Sequence, residues 1–411
     1  MTDSDQLEVD VAIVGGGLVG ASLAAALRES GRRVLLVESV PFAAAGQPSF
    51  DARTTALGNA SRRIFEGLAL WPQLASQAAA IRTIHVSEAG SFGCARLQAA
   101  EQGVDAFGYV IANRQLGSVL WAQLAASAAV TLRVPARVVG ASMSADGVEL
   151  HLENEAGGAE RVRARLLVAA DGAHSMIRSA AGIAAAVEDY GQLAVVANVA
   201  SDHPADGTAY ERFTHAGPLA LLPLHDGTRA CIWACEPARA AALLQLDERG
   251  YLEALQAQFG WRAGRFLAAT PRGSYPLQLT RAAATVGLRT VLVGNAAQAL
   301  HPVAGQGFNL GLRDAAMLAQ VIAAERGDVG AAPLLQRFAA WRASDRSGVV
   351  RFTDSLVKLF GDQRPGISLL RNLGLLMFDL TPPAKSALAR VSSGFAGPTP
   401  RLARGLPLKD V

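Results

Sequence analysis

Cysteine is scarce: only Cys94, Cys231 and Cys235 occur in 411 residues. An odd, sparse count does not build a disulfide framework and fits a reducing compartment. Cys231 and Cys235 sit in an apolar, strand-like run without companion ligands, so they are expected as buried small hydrophobes and no metal site is expected. Long apolar runs are missing as well. No stretch reaches 18 apolar residues, which argues against a membrane-spanning helix. Met1–Asp10 is acidic and polar, so no signal peptide is expected there. The net charge is only +3, too small to point to nucleic acid. Hydrophobic residues reach 51% against 18% charged, which fits a globular chain rather than a disordered one. The length allows two or three domains. What remains is a cytosolic enzyme, soluble or peripheral to a membrane.

Glycine, by contrast, stands in three informative places. Val9–Val14 reads as a buried strand, followed by Gly15-Gly-Gly17-Leu-Val-Gly20, a helix from about Val19 to Ser30, and a second strand, Val34–Val37, closed by Glu38. This is a βαβ unit with a dinucleotide-binding fingerprint. Gly15 allows the tight turn, Gly17 the approach of a pyrophosphate and Gly20 close helix–strand packing. Glu38 is placed to accept hydrogen bonds from a ribose diol. The bland alternative is a Gly-rich turn with a surface Glu.

The second motif is Asp171-Gly172-x-x-Ser175-x-x-Arg178, after a buried strand. Asp-Gly predicts a turn, and Ser175 and Arg178 begin a helix; standing alone, the pattern is a capped helix start. The third runs from Val291 to Gly311 and includes GNAAQALHPVAGQGFNLG. A short strand, Val291–Val293, precedes a loop over Gly294–Gly307, then a helix from Phe308 to about Ala324. Glycines let backbone approach a ligand, and the helix start offers free N–H groups and partial positive charge, suited to a ring that becomes anionic.

Between these motifs, Leu193–Pro237 reads as a mostly antiparallel sheet of short strands, the expected floor of a substrate pocket. His203, His215 and His225 fall at its turns and are expected as polar turn residues. Pro237–Gly264 is expected to be helical. Near the C-terminus, helices are expected over Ala332–Arg346 and Val349–Phe360. Leu369, Leu370, Leu373, Leu376, Met377 and Leu380 form an apolar stripe at helical spacing. Packing against the body is the default; a face toward membrane or a lipid-like substrate is the rival.

Three motifs in this order, GGGLVG with Glu38, DGAHSMIR and GNAAQALHPVAGQGFNLG, resemble those of the class A flavoprotein aromatic hydroxylases, with the para-hydroxybenzoate hydroxylase fold. The resemblance covers nearly the whole chain. Within that class, FDARTTAL, ANRQLGSVLW, AYERFTHAGPLALLPL and TDSLVKLF look like the ubiquinone-biosynthesis hydroxylases. The 2-polyprenyl-6-methoxyphenol hydroxylase group also tends to read Gly-Asn-Ala-Ala-Gln.

The resemblance implies an α/β fold with a Rossmann-type FAD-binding domain, formed discontinuously by 1–80, 106–182 and 284–330. It implies a mostly antiparallel substrate-binding sheet domain (81–105 and 183–283) and a C-terminal helical segment (331–411). FAD is the implied cofactor. Gly15, Gly17 and Gly20 would hold its pyrophosphate, with Leu18 and Val19 beside them, and Glu38 its ribose. Arg53 and Arg114 would lie by the flavin and its phosphates, and Val138 along the cofactor. Asp171 and Arg178 would serve both FAD and NAD(P)H. Asn295 stands at the usual Asp position near the ribityl chain; an amide accepts and donates but carries no charge. Gly305, Gly307, Phe308 and Asn309 would meet the flavin, the last two through backbone groups at its pyrimidine edge. Pro302 lies where the loop approaches substrate. Gln298 replaces a common His and is assigned no role.

The implied reaction is hydroxylation of a lipophilic, polyprenylated phenol in ubiquinone biosynthesis, with NAD(P)H and O2 as cosubstrates and a C4a-hydroperoxyflavin as oxidant. No phenol-activating base is identified. His301 has suitable pKa chemistry, but a structural histidine beside Pro302 competes with that role. The rivals are a flavin-dependent reductase of lipid double bonds, a weakly active flavin-binding subunit of a quinone-biosynthesis complex and a plain NAD dehydrogenase. Association with other quinone-biosynthesis proteins or with membrane stays open.

Overall fold

The computed structural model describes residues 6–408 apart from 43–46, 48, 52, 92, 156, 362–371, 376, 396 and 398. Its first layer is a sheet ordered Val286–Gly287, Thr290–Leu292, Ala159–Ala169, Leu7–Val14, Val34–Val37, Val130–Arg133. The pairings among the last five strands are parallel. A hairpin of Ala136–Met143 and Val148–Asn154 extends this sheet beside Ala159–Ala169. Val130–Arg133 and Ala136–Met143 are separate strands, interrupted at Val134-Pro135, where proline cannot donate to a ladder.

The central strands are runs of Val, Ile, Leu and Ala buried on both faces, as a parallel sheet requires. Helices Leu18–Leu27, Asn113–Ala125 and Gln306–Ala324 contribute to the core on one face. The hairpin strands belong to the core on the other.

A second sheet runs Gln298–Ala299, Gly273–Ala282, Ala185–Ser201, Arg229–Cys235, Gly217–Pro223, Thr208–Thr214, Thr83–Glu88, Cys94–Gln98. It is antiparallel except where Thr208–Thr214 runs parallel to Thr83–Glu88. Its strand Ala185–Ser201 spans 17 residues and begins before Leu193, where the sequence first reads as sheet. Alternation explains the difference: its outer half is half-exposed and carries Glu188, Asp189 and Gln192, which dilute the apolar signal. One face packs on helices Pro237–Gln245 and Glu248–Phe259 through Val195, Trp233, Leu219, Tyr251 and Leu255. Cys231 and Cys235 are buried free thiols on that side. A small third sheet joins Thr54–Gly58, Gly108–Ala112 and Ala79–Ile81.

The C-terminal part corrects one expectation. Ala332–Gly361 is a single helix, not two. Gly348 costs only about 1 kcal/mol in a helix interior, and charged anchors hold the region. Arg342 Nε meets Asp314 Oδ1 at 2.6 Å and Arg313 Nε meets Asp345 Oδ2 at 2.9 Å, with all four side chains buried. Of the apolar stripe, Leu369, Leu370 and Leu376 lie outside the described residues. Leu373, Met377 and Leu380 are exposed.

Candidate active site

The fingerprint loop is built by close contact. Gly15 has φ +102°, and a Cβ there would lie 2.4 Å from the Ala170 carbonyl oxygen. A Cβ on Gly20 would lie 1.9 Å from the Gly15 oxygen, so the helix can begin against the turn only with glycine at both places. The middle glycine is constrained as well: a Cβ on Gly16 would meet the Trp121 ring at 2.6 Å. Trp121 also donates its indole N–H to the Gly16 carbonyl at 3.2 Å. Glu38 accepts from Gly16 N–H at 2.6 Å and from Val40 N–H at 2.9 Å, which fixes its carboxylate at the end of the second strand.

The start of helix Gln306–Ala324 is set beside this loop. A Cβ on Gly311 would lie 2.9 Å from the Gly294 Cα, and one on Gly294 would meet Val19 at 3.1 Å. Asn309 is buried and clamps the helix start. Its amide oxygen accepts from Gly58 N–H (2.8 Å) and Ser61 Oγ (2.6 Å), and its amide nitrogen donates to the carbonyls of Ala56 (2.8 Å) and Gly305 (2.7 Å). Its side chain is therefore structural, leaving backbone groups as its means of touching a ligand.

The Asp171 turn is tied to the same loop. Asp171 accepts from Ser175 Oγ and, at 3.2 Å, from Ile177 N–H; Ser175 Oγ accepts from Arg178 N–H and caps the helix Met176–Ala180. Buried Arg178 donates to the carbonyls of Ala296 (2.9 Å) and Ala173 (2.8 Å), linking the Asp171 and Asn295 loops. Gln298 donates to Asp314 at 3.0 Å, which gives it a structural role the sequence did not reveal.

These pieces enclose two chambers. The first, about 1100 Å³, is walled by Gly15, Gly17, Leu18, Val19, Glu38, Arg53, Val138, Asp171, Asn295, Gly307 and Phe308 among others. The second, about 990 Å³, is walled mainly by apolar side chains, with Gly305, His301 and Pro302 on one side and strands of the second sheet on the other. Thr54, Thr55, Ile232, Tyr275, Asn295, Gly307 and Phe308 line both, so the chambers meet at the start of the Gln306–Ala324 helix.

Four of the sequence-assigned residues line neither chamber: Gly20, Arg178, Asn309 and Arg114. Arg114 is exposed, and the preceding Asn113 lines the first chamber instead. Arg53 is held by Asp51 at 2.6 Å and lies 5.5 Å over the Tyr275 ring.

His301 is buried and packs edge-to-face with Tyr190 at 5.1 Å. Burial pushes its pKa down to about 4, so the ring is neutral near pH 7. Its Nδ1 accepts from Val303 N–H at 3.2 Å, which assigns the proton to Nε2. In that tautomer it offers no lone pair for taking a proton from substrate.

Sequence reasoning missed Glu211. It lines the second chamber from strand Thr208–Thr214, and burial alone pushes its carboxyl up to about 7. In the sequence it is one polar residue in a strand of mixed character, AYERF, with nothing to mark which face is solvent.

The donor set fits a flavin dinucleotide. The first chamber exceeds the roughly 300–1,000 Å³ of small-ligand pockets, and a Cβ at Gly172 or Gly307 would point into open space in its wall. The chain matches the FAD binding domain family over residues 8–353. It is 37% identical to ubiquinone hydroxylase UbiL of Rhodospirillum rubrum, over 99% of this chain and 95% of that protein. It is 34% identical to the 3-demethoxyubiquinol 3-hydroxylase of Escherichia coli, over 89% of this chain and 94% of that one. In structure it is similar to p-nitrophenol 4-monooxygenase PnpA of Pseudomonas putida, with TM-score 0.79 at 19% identity over 95% and 99% of the two chains. The cofactor is FAD. The chain belongs to the FAD-binding-domain family of flavin-dependent aromatic hydroxylases, with the para-hydroxybenzoate hydroxylase-like fold.

Proposed function

We propose that this protein hydroxylates a polyprenylated phenol in ubiquinone biosynthesis, and that the two joined chambers divide the work. One observation carries this: a polar chamber of dinucleotide size opens into an apolar one across Asn295, Gly307 and Phe308. Residues 81–105 and 183–283 act as the substrate module, and the described helical residues beyond 331 close the apolar side.

In the polar chamber, Gly15 and Gly17 would bring backbone and the N-terminus of helix Leu18–Leu27 to the pyrophosphate. Glu38 would take the ribose hydroxyls. Asp171, Asn295 and Arg53 would bind the central part of the cofactor, and Arg178 would keep the Asp171 and Asn295 loops in register. Gly307 and Phe308 would offer the N–H groups of the Gln306–Ala324 helix to the pyrimidine edge, where negative charge is stabilised. Bound there, FAD supplies the redox chemistry, taking two electrons from NAD(P)H and activating O2.

In the apolar chamber, Leu222, Phe213, Phe360, Leu375, Phe378 and Leu388 exclude water and give a prenyl tail an apolar wall. Helical residues lining the chamber lie next to exposed Leu373, Met377 and Leu380. That arrangement supports delivery of a lipid-like substrate from a membrane surface. Among the described residues no helix is long and apolar enough to cross a membrane.

The test is a panel of phenols with and without prenyl tails, read by oxygen uptake and product mass. Tail-bearing phenols are expected to be hydroxylated at lower concentration. Equal use of short polar phenols would count against the polyprenyl assignment. Reduction of a lipid double bond without O2 uptake would favour the reductase.

A further inference from the structure

A single row of residues crosses the second sheet from one chamber to the other. Cross-strand pairing places Val86 beside Glu211, Glu211 beside Ala220, Ala220 beside Ile232 and Ile232 beside Val196. Val86, Glu211, Ala220 and Ile232 line the apolar chamber; Ile232 and Val196 line the flavin chamber. Glu211 is the one acid in this row. Adjacent Arg212 points to the opposite face, where it donates to the Gln258 carbonyl at 3.3 Å and to Ser87 Oγ at 3.3 Å. Among the described residues the Glu211 carboxyl has no hydrogen-bond or ion-pair partner, and the only cause that shifts its titration is burial.

A lone carboxyl facing a mainly apolar cavity is costly to keep. Two inter-strand steps separate Glu211 from Ile232, roughly 9–10 Å. A phenol whose hydroxyl sits on Glu211 therefore lies over the small side chain of Ala220. Its far ring carbons point toward Ile232 and the mouth of the flavin chamber.

We propose that Glu211 is the catalytic base of this site and accepts the phenol proton of the substrate. This rests on the hydroxylase function proposed above. The phenol O–H bond breaks, its proton goes to a Glu211 oxygen and the electron pair stays on the phenol oxygen. Negative charge on that oxygen raises electron density at the ortho and para carbons. One of them forms a bond to an oxygen atom of O2 and then loses its hydrogen as a proton. The second oxygen atom leaves as water, with two electrons from NAD(P)H and one net proton taken up. A carboxylate titrating near neutrality is better matched to this transfer than an ordinary one. His301, whose Nδ1 accepts from Val303, does not compete for the role.

Among the described residues the other titratable groups lining the chamber are Tyr210, Tyr275 and His301, with no Lys, Arg or Asp. Burial raises both tyrosines and lowers His301 to about 4. The pH dependence between about 5 and 9 is therefore assigned to Glu211. A buried Glu with a raised pKa binds its proton more tightly folded than unfolded. It therefore weakens folding progressively from near pH 4.5 up to about pH 7, and by a constant amount beyond.

The test uses FAD-loaded protein, a methoxyphenol carrying a geranyl tail, and the variants Glu211→Gln and Glu211→Asp. Glu211→Gln is expected to bind FAD as the wild type does and to lose hydroxylation by about 10²–10⁴-fold. NAD(P)H oxidation would then end in hydrogen peroxide. Its residual rate should climb with pH toward the phenol's own ionisation, while the wild type levels off above about pH 7. Glu211→Asp should recover part of the rate. Independently of turnover, the melting temperature of Glu211→Gln should gain on the wild type as pH rises from 5 to 8. Hydroxylation by Glu211→Gln at the wild-type rate and pH profile would overturn the proposal. Failure of the wild type to hydroxylate any phenol would instead overturn the function, and the role of Glu211 with it.

Discussion

Arg178 reaches from the Asp171 turn to the carbonyl of Ala296, 2.9 Å away, and holds together two loops that wall the same chamber. It lines neither chamber itself. Replacing it with Met removes two charge-assisted hydrogen bonds, one buried and one partly buried, each worth about 1.5–3 kcal/mol. FAD affinity is expected to fall about tenfold or more. Equilibrium titration followed by flavin fluorescence checks this; unchanged affinity would mean that the loops hold their positions without it.

Gly20→Ala is expected to abolish FAD retention. Its Cβ would lie 1.9 Å from the Gly15 carbonyl, and backbone is a poor yielding partner. Overpacking of this kind costs about 1–3 kcal/mol, and here the displaced turn is the one we propose meets the pyrophosphate. Absorbance of the purified variant at the flavin bands, with its melting temperature, separates loss of the site from loss of the fold.

Asp314→Ala should destabilise the protein by about 3–5 kcal/mol, because it removes one of the two carboxylates that pair with buried Arg342 and leaves only Asp345 to compensate it. Burial would raise the Asp314 carboxyl, but Arg346 and Arg342 outweigh it and hold it below the ordinary carboxylate range. Asp345 follows the same pattern with Arg313 and Arg342. Both are depressed in the folded state, so their contribution is complete above the unfolded pKa of about 3.9. It is lost as pH falls through the lower folded values. The deficit of the variant against wild type should therefore be constant at neutral pH and shrink in acid, as denaturant melts across pH would record.

Ala220→Phe fills the space between Glu211 and Ile232. Hydroxylation of a geranyl-tailed phenol should fall by about tenfold or more, corresponding to roughly 1.4 kcal/mol, while FAD affinity stays unchanged. A variant that turns over normally would place the ring elsewhere in the chamber.

The wall of the first chamber was legible because a dinucleotide fingerprint needs particular residues at fixed spacing. Gly15, Gly17, Gly20 and Glu38 follow from the turn, the close approach and the strand end, each a local demand. Arg178 and Asn309 were found by motif, but whether they touch ligand or brace the backbone depends on loops distant in sequence. Arg178 meets Ala296, and Asn309 meets Gly58, Ser61 and Ala56. Glu211 was hidden for a different reason. One face of its sheet is covered by helices and the other by a cavity, so polar-out alternation no longer marks solvent. The single helix Ala332–Gly361 was likewise masked by Ser347 and Gly348, whose local weakness is outweighed by its charged anchors.

The most direct test follows 18O2 into product. Purified protein is loaded with FAD and given NAD(P)H and a prenyl-tailed phenol under 18O2. One 18O atom in the ring hydroxyl for each NAD(P)H consumed, with O2 uptake dependent on the phenol, is the predicted result. Product without 18O, or NAD(P)H and O2 consumption indifferent to the phenol, would contradict the pairing of a flavin chamber with a phenol chamber.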